Sequence, residues 1–478
     1  MRNILSIHDA KMLSLLEELN RSRQPTSLES LHKKLSMPTR TIYNYIQEFN
    51  DYNLPVLVKS GKQGVNLYIP RDSSFRCVYK AIYENSLELT LFQQLFLTEN
   101  LSLKTVADNN FTSLSTVKRA FSKIKKILAY EGIVISTSRK TIGGDEENVR
   151  QLLHFFYAEK YANLEFLSEE QQACLHHLIQ SLFQEQGKKL YINQINRYMR
   201  WLYINLTRIK YHHFVELTDR KFTYCNLLTD ISYLKQFKFL FNIDLTLDVI
   251  NDVFYQLNNN YYFYSYQQMM MILSHSIDEM NKFNKIKGIL QNISFELETP
   301  LKKSTEEMLI LDFINILKFK NTRTFVLYDR RERFVSNLSA KYPHIIDYLT
   351  PYLAQLPDKP LPDIEMNELI YILITHWYEL YNHLPKIESR ITIYILVDTD
   401  IEHALFIKKD LEKYCLYNIE CRLLMDDNIP TIDDNAILVT TMTNATHVAK
   451  NIICFSEFFS NRNWEDLNQL IGSLLSVK

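Results

Sequence analysis

Residues 27–48, SLESLHKKLSMPTRTIYNYIQE, and residues 103–128, LKTVADNNFTSLSTVKRAFSKIKKIL, follow one plan twice. In the first, Leu28, Leu31 and Leu35 mark the apolar side of a short helix, Ser36 and Met37 make a turn, and Pro38 opens a second helix with Ile42 and Ile46 inward. Proline suits a first helical position because the N–H it lacks would be unpaired there. In the second, Val106 and Ala107 face in, Thr112 or Ser113 can cap, and Val117, Phe121 and Ile124 continue the apolar side. Leu31 and Ile42 stand eleven residues apart, as do Val106 and Val117. A tight turn between two such helices, after a longer helix expected at 9–20 and again at 88–99, is what a helix-turn-helix requires.

Each second helix leaves a polar N-terminal face. The first shows Thr39, Arg40, Thr41, Tyr43, Asn44 and Gln47; the second shows Ser115, Thr116, Lys118, Arg119, Ser122 and Lys123, with Lys125 and Lys126 following. Arginine suits guanine edges in the major groove, asparagine and glutamine suit adenine edges, and lysine, serine and threonine hold phosphates. A β-like stretch follows each copy: VLVKSGKQGVNLYI at 56–69 carries Lys59 and Lys62, and GIVISTSRKTIGG at 132–144 carries Arg139 and Lys140. Five of the eight glycines fall in these stretches, where hairpins need them. A helical hairpin with a solvated basic face would explain either copy alone. Two copies with hairpins in one basic segment point instead to paired winged helix-turn-helix units that bind double-stranded DNA.

Composition narrows the rest. At 478 residues the chain exceeds the roughly 250–300 at which a single core stops growing, so several domains are expected. Residues 1–150 carry 21 Lys and Arg against 15 Asp and Glu, and 151–478 carry 33 against 40, which makes a basic head on an acidic body. The absence of G-x-G-x-x-G, of a P-loop string, of G-x-S-x-G and of H-E-x-x-H argues against an enzyme, and no cofactor is expected. The six cysteines are scattered without a C-x-x-C pair, as in a reduced cytoplasm. No apolar run reaches ~18 residues, and Asp9, Glu17 and Glu18 interrupt the start, so neither a membrane span nor a signal peptide is expected.

Beyond the head the periodicity is that of amphipathic helices, such as 190–210 and 244–258, with the proline-rich LPDKPLPD at 356–363 as a connection within the helical body. From residue 390 it changes. RITIYILVDTD, NIECRLLM, NAILVTT and NIICFSEF read as strands, and IEHALFIKKDLEKY and NWEDLNQLIGSLLS as helices, which together make a small α/β domain.

In the order and size of these parts the chain resembles the Mga/AtxA-type virulence regulators of Gram-positive bacteria. The resemblance implies a mainly α, multidomain protein: winged helix-turn-helix units at 1–70 and 71–162, helical bundles like phosphotransferase-regulation (PRD) domains at 163–290 and 291–388, and a domain like the EIIB component of sugar phosphotransferase systems at 389–478. It further implies a cytoplasmic transcription regulator that forms homodimers or higher oligomers and is tuned by a phosphotransferase-system phosphodonor. NRYMRWLYINLTRIK at 196–210 is similar to the acceptor helix of a PRD, but Asn196 stands where the phosphorylated histidine would be, and His212 and His213 follow. In ELIYILITHWYEL, at 368–380, the acceptor maps to His376. His376 and His213 are the phosphorylation candidates. A competing reading of His376, Glu379 and His383 as metal ligands on one helical face lacks a further ligand cluster. The EIIB-like domain has Asp398, Thr399 and Asp400 after its first strand where a phosphocysteine is expected, so it is read as a contact domain. The alternatives are a PRD-type RNA antiterminator, which would open with a β-type RNA-binding module, and a phosphocarrier, which would need that cysteine.

Overall fold

A computed structural model describes residues 2–22, 24–138, 140–161, 163–185, 192–218, 222–258, 262–263, 265–318, 325–356, 361–387, 390–415, 417–424, 432–443 and 449–476. The protein is mainly helical and multidomain, with helix-turn-helix units at its N-terminus and a four-stranded parallel sheet near its C-terminus. It divides into two units, Met1–Tyr261 with Arg323–Asp329, and Tyr262–Thr322 with Arg330–Lys478.

In the first unit, α1 (Ile7–Arg21), α2 (Leu28–Leu35) and α3 (Thr39–Asp51) precede a hairpin of β1 (Leu57–Gly61) and β2 (Gly64–Tyr68). The plan returns as α4 (Arg76–Asn85), α5 (Leu87–Leu97), α6 (Leu103–Asn109) and α7 (Leu114–Tyr130), a hairpin of β3 (Ile133–Ile135) and β4 (Ile142–Gly144), and α8 (Glu146–Lys160). The copies agree in local chemistry at an offset of seventy-five positions. Ser27 and Ser102 cap α2 and α6, each accepting the N–H of the residue three further on, at 3.1 and 3.3 Å. Ser36 and Phe111 turn the chain with left-handed φ of 51° and 50°. That conformation costs a non-glycine residue on the order of 1–3 kcal/mol. It is held because the flanking helices bury Leu31, Ile42 and Phe49 in one copy, and Val106, Val117 and Ile124 in the other, in one continuous core.

Pro38 is the N-cap of α3 rather than its first helical residue. Its ψ of 140° is extended, so it ends the turn, and its carbonyl accepts the Ile42 N–H as the opening helical bond. The first hairpin is anchored sideways, since Val65 and Thr26 exchange both backbone hydrogen bonds at 2.8 and 2.9 Å. Gly64 is obligatory there: its φ is +125°, and a Cβ would lie 2.5 Å from the Thr26 carbonyl oxygen.

The unit continues with α9 (Glu169–Glu185), α10 (Ile192–Lys210), α11 (Ile231–Phe241), α12 (Leu247–Val253) and α13 (Tyr255–Asn258). The helix expected over 244–258 is thus two. Phe254 leaves the helical path to pack against Phe183 and Phe222, and the Asn251 side chain bonds the Phe222 backbone in both directions, so tertiary contacts override the local period.

The second unit holds α14 (Tyr266–Leu273), α15 (Ile277–Glu296), α16 (Lys303–Lys318), α17 (Arg330–Lys341), α18 (Pro343–Leu353), α19 (Asp363–His376) and α20 (Tyr378–Ile387). Position 290, the expected join between helical domains, lies inside α15. The single helix expected over ELIYILITHWYEL is broken at Trp377, which is fully buried and donates its indole N–H to the Pro300 carbonyl at 3.1 Å. Pro362 caps α19, while Pro357 and Pro360 of the expected connection lie outside the described residues. The chain ends in β5 (Ile391–Leu396), α21 (Ile401–Tyr414), β6 (Ile419–Leu423), β7 (Ile437–Thr440), β8 (Ile452–Cys454) and α22 (Asn461–Ser476). All strand pairs are parallel, in the order β6-β5-β7-β8. Ile391, Ile393 and Ile395 of β5 are buried with Ile407 and Leu411 of α21 and Leu467 and Ile471 of α22. Among the described residues no helix is long and apolar enough to cross a membrane.

Candidate nucleic-acid interface

Burial of Ile42, Tyr45, Ile46 and Phe49 turns the opposite side of α3 to solvent. Thr39, Arg40, Tyr43, Asn44 and Gln47 are exposed and Thr41 half-buried at the flank. Arg40, Tyr43, Asn44 and Gln47 recur at helical spacing and form one stripe, in which the Gln47 amide donates to the Tyr43 hydroxyl at 2.8 Å. On α7 the buried residues are Val117, Ala120, Phe121, Ile124 and Leu128, and the opposite stripe is Ser115, Lys118, Arg119, Ser122 and Lys126, all exposed. Ser113 caps α7, accepting the Thr116 N–H at 3.1 Å, and its hydroxyl also lies 2.8 Å from the hydroxyls of Ser115 and Thr116. A helix N-terminus lined with hydroxyls and followed by Lys118 and Arg119 suits a phosphate.

Lys123 differs from its neighbours on α7. Its ammonium donates to the Leu5 carbonyl, so the side chain is spent on holding the N-terminal segment against α7 and lies off the exposed stripe. The helical period put it at the margin of that stripe, and only tertiary structure shows which way it turns. Lys125 is half-buried beside it.

The hairpins stand in the wing position. Lys62 is exposed at the tip of the first, and the Lys59 ammonium rests 3.5 Å from the ring centre of Tyr68. In the second, Lys140 is half-buried at a left-handed φ of 52°, and Arg139 lies outside the described residues. Two residues that fix the wings were not singled out from the sequence. Asn50 of α3 donates to the Val58 carbonyl at 3.0 Å and accepts the Val58 N–H at 2.9 Å, locking the first hairpin to α3. Arg208 of α10 donates to the Ile142 carbonyl in β4 at 2.9 Å and pairs with Glu146 at 2.6 Å. Glu146 also meets Arg150 at 3.0 Å, and Arg150 reaches Asp252 at 2.6 Å. Burial pushes the Glu146 carboxyl up, but the two guanidiniums outweigh it and hold it below the ordinary carboxylate value. Asn50 sits on the edge of an apolar face and Arg208 at the end of a long helix, so neither carries a spacing signal.

Of the histidines singled out, His376 ends α19 and its Nδ1 donates to the Asp312 carboxylate at 2.8 Å. His213 donates from Nε2 to Glu99 at 3.3 Å, and burial, then Arg208, hold its imidazole below the ordinary value. Asn196 is half-buried on α10. The structure does not bring His376, Glu379 and His383 together as a metal site: Glu379 pairs with Lys302 at 2.6 Å and His383 donates to the Glu379 carbonyl, both beyond the break at Trp377. After β5, Asp398 accepts from Thr441 at 2.6 Å and Asp400 caps α21. Cys415 ends α21, and burial pushes its thiol up.

Residues 11–66 match an HTH domain family and residues 71–157 the Mga helix-turn-helix domain family. The chain is 21% identical over 435 residues, 88% of each chain, to a protein of Streptococcus pneumoniae described as a putative trans-acting regulator. It is 21% identical over 223 residues, 46% of each chain, to the capsule synthesis positive regulator AcpB of Bacillus anthracis. Helix-turn-helix domains imply DNA as the partner. The chain therefore carries an HTH domain and a Mga helix-turn-helix domain in tandem, and is a distant homologue of regulators of the AtxA/Mga type, a family of transcription regulators and not of enzymes.

Proposed function

We propose that this protein is a cytoplasmic transcription regulator that binds promoter duplex DNA with α3 and α7 in successive major-groove segments and the two hairpins as wings. The observation that carries the reading is the repeat of caps and left-handed turns at one offset, each followed by an exposed polar stripe on the second helix. In this reading Arg40, Asn44, Gln47 and Arg119 face base edges, whereas Lys62, Lys118, Lys126 and the hydroxyls of Ser115 and Thr116 hold phosphates. Five parts serve it: the two winged units, two PRD-like bundles, and an EIIB-like domain used for self-association. His376 is the phosphorylation site, supported by the Asp312 carboxylate that holds Nδ1 and so assigns the phosphoryl group to Nε2.

The test is competition between duplex DNA, hairpin RNA and single strands at two salt concentrations. Duplex should win, and Arg40→Ala and Arg119→Ala should each relax base preference at the contacted position by about 1–3 kcal/mol. Unchanged preference in both variants would remove base reading from the proposal, and a preference for hairpin RNA would replace it with antitermination.

A further inference from the structure

We propose that residues 325–329 are a staple that fixes the two winged units at one separation, and so sets the spacing of DNA elements they can read together. The inference rests on the DNA-binding reading above.

The segment lies between α16 and α17 in the sequence, yet it belongs to the first unit. Val326 and Leu327 are 1% and 0% exposed, within the core shared by both winged units. Three consecutive backbone amides converge on one carboxylate of α8: Glu159 accepts from Val326 at 2.6 Å, from Leu327 at 2.8 Å and from Tyr328 at 3.1 Å. Tyr83 of α4 donates to the same carboxylate at 2.8 Å. Such a run of N–H groups is a ready anion cradle, and here the protein supplies the anion itself.

The other side of the segment faces the first winged unit. The Leu327 carbonyl accepts from Arg2 Nε at 2.7 Å, and the remaining guanidinium nitrogens of Arg2 clasp Glu17 of α1 at 2.8 and 2.5 Å. Tyr79 of α4 donates to Glu17 at 2.5 Å and stacks on Tyr328 with ring centres 4.5 Å apart. One short segment therefore bonds α8 and stacks on α4 of the second winged unit while reaching α1 of the first through Arg2. A buried carboxylate satisfied by backbone amides does not tolerate their loss, so the segment is held in place rather than lying on the surface.

The test uses the full chain with Glu159→Gln and, because that change is buried, Tyr328→Ala as a gentler second variant. Amide exchange at 326–328 is measured beside affinity for a mixed-sequence duplex of ~40 base pairs and one of ~10, about one helical turn. Both variants should speed exchange and lower affinity for the long duplex about tenfold, leaving the short one unchanged, because only the long duplex profits from two units linked at a fixed distance. Faster exchange with unchanged long-duplex affinity, or amides still protected in both variants, would overturn the staple. A wild-type chain that binds neither duplex would overturn the DNA reading itself, which the exchange data do not depend on.

Discussion

Lys123 and Lys126 are three residues apart on α7 but have different work. Lys126 stands on the exposed stripe, whereas Lys123 is tied to the Leu5 carbonyl. Lys126→Ala should weaken binding to all duplexes alike and lower the salt slope by about one unit. Lys123→Ala should leave that slope in place and instead reduce thermal stability, and a slope lost equally in both would return Lys123 to the interface. His154 of α8 gives the second prediction at this scale. Its ring stacks on Trp201 at 4.1 Å, nearly parallel, and burial, reinforced by Arg200 and Arg197, holds its pKa well below the ordinary value. Below pH ~6.5 the unfolded chain binds a proton that the folded chain refuses, so stability falls as pH drops, by up to about 1.4 kcal/mol per pH unit from this group. Denaturant titrations of wild type and His154→Phe between pH 7.5 and 5.5 should show a flatter pH dependence in the variant, and parallel curves would refute it. The sequence exposed the two polar stripes because burial of one helical face dictates the other. It did not expose His154 as buried, since nothing local distinguishes that histidine from a surface one.

At the scale of elements, the helices and hairpins of the N-terminal half were legible because their apolar periods, caps and glycines agree. The breaks at Phe254 and Trp377 were not, because large rings seated by distant partners interrupt patterns that run on without them. The second break matters for the proposed switch, since it leaves His376 at the C-terminus of α19 instead of mid-helix. A phosphoryl group there adds roughly −1.5 to −2 charges beside the Asp312 carboxylate and at the negative end of a helix. Both neighbours disfavour it, so modification should loosen the contact between α16 and α19. His376→Asp sets two carboxylates face to face and should lower self-association or promoter output, while His376→Ala leaves duplex binding intact. Thermal melts taken beside dimer fraction separate this from a structural role, in which both variants would lose folding equally.

For the whole molecule, the proposed EIIB-like reading of the α/β domain sets Asp398 and Asp400 where a phosphate nucleophile is expected, so a use for the domain is sought on its surface. On α21, Ile401, Leu405 and Phe406 are 40%, 42% and 49% exposed, and Phe458 beside them is 58% exposed, its ring 6.0 Å from that of Phe406. Contiguous apolar exposure of this kind is uncommon on a surface that meets only water. A two-fold pairing of such patches suits a protein that reads paired DNA elements, because isologous contact gives the symmetry a palindromic site requires. Leu405→Asp with Phe406→Asp in the full chain should therefore shift sedimentation from dimer toward monomer at micromolar concentration, with the helical signal and melting temperature retained, because both side chains leave solvent-facing positions. Loss of pairing should in turn weaken binding to a two-element duplex more than to a single element, since the second contact then has to be made from free solution. Equal masses for variant and wild type would remove this face from the assembly, and equal losses on both duplexes would show that pairing has no part in DNA reading.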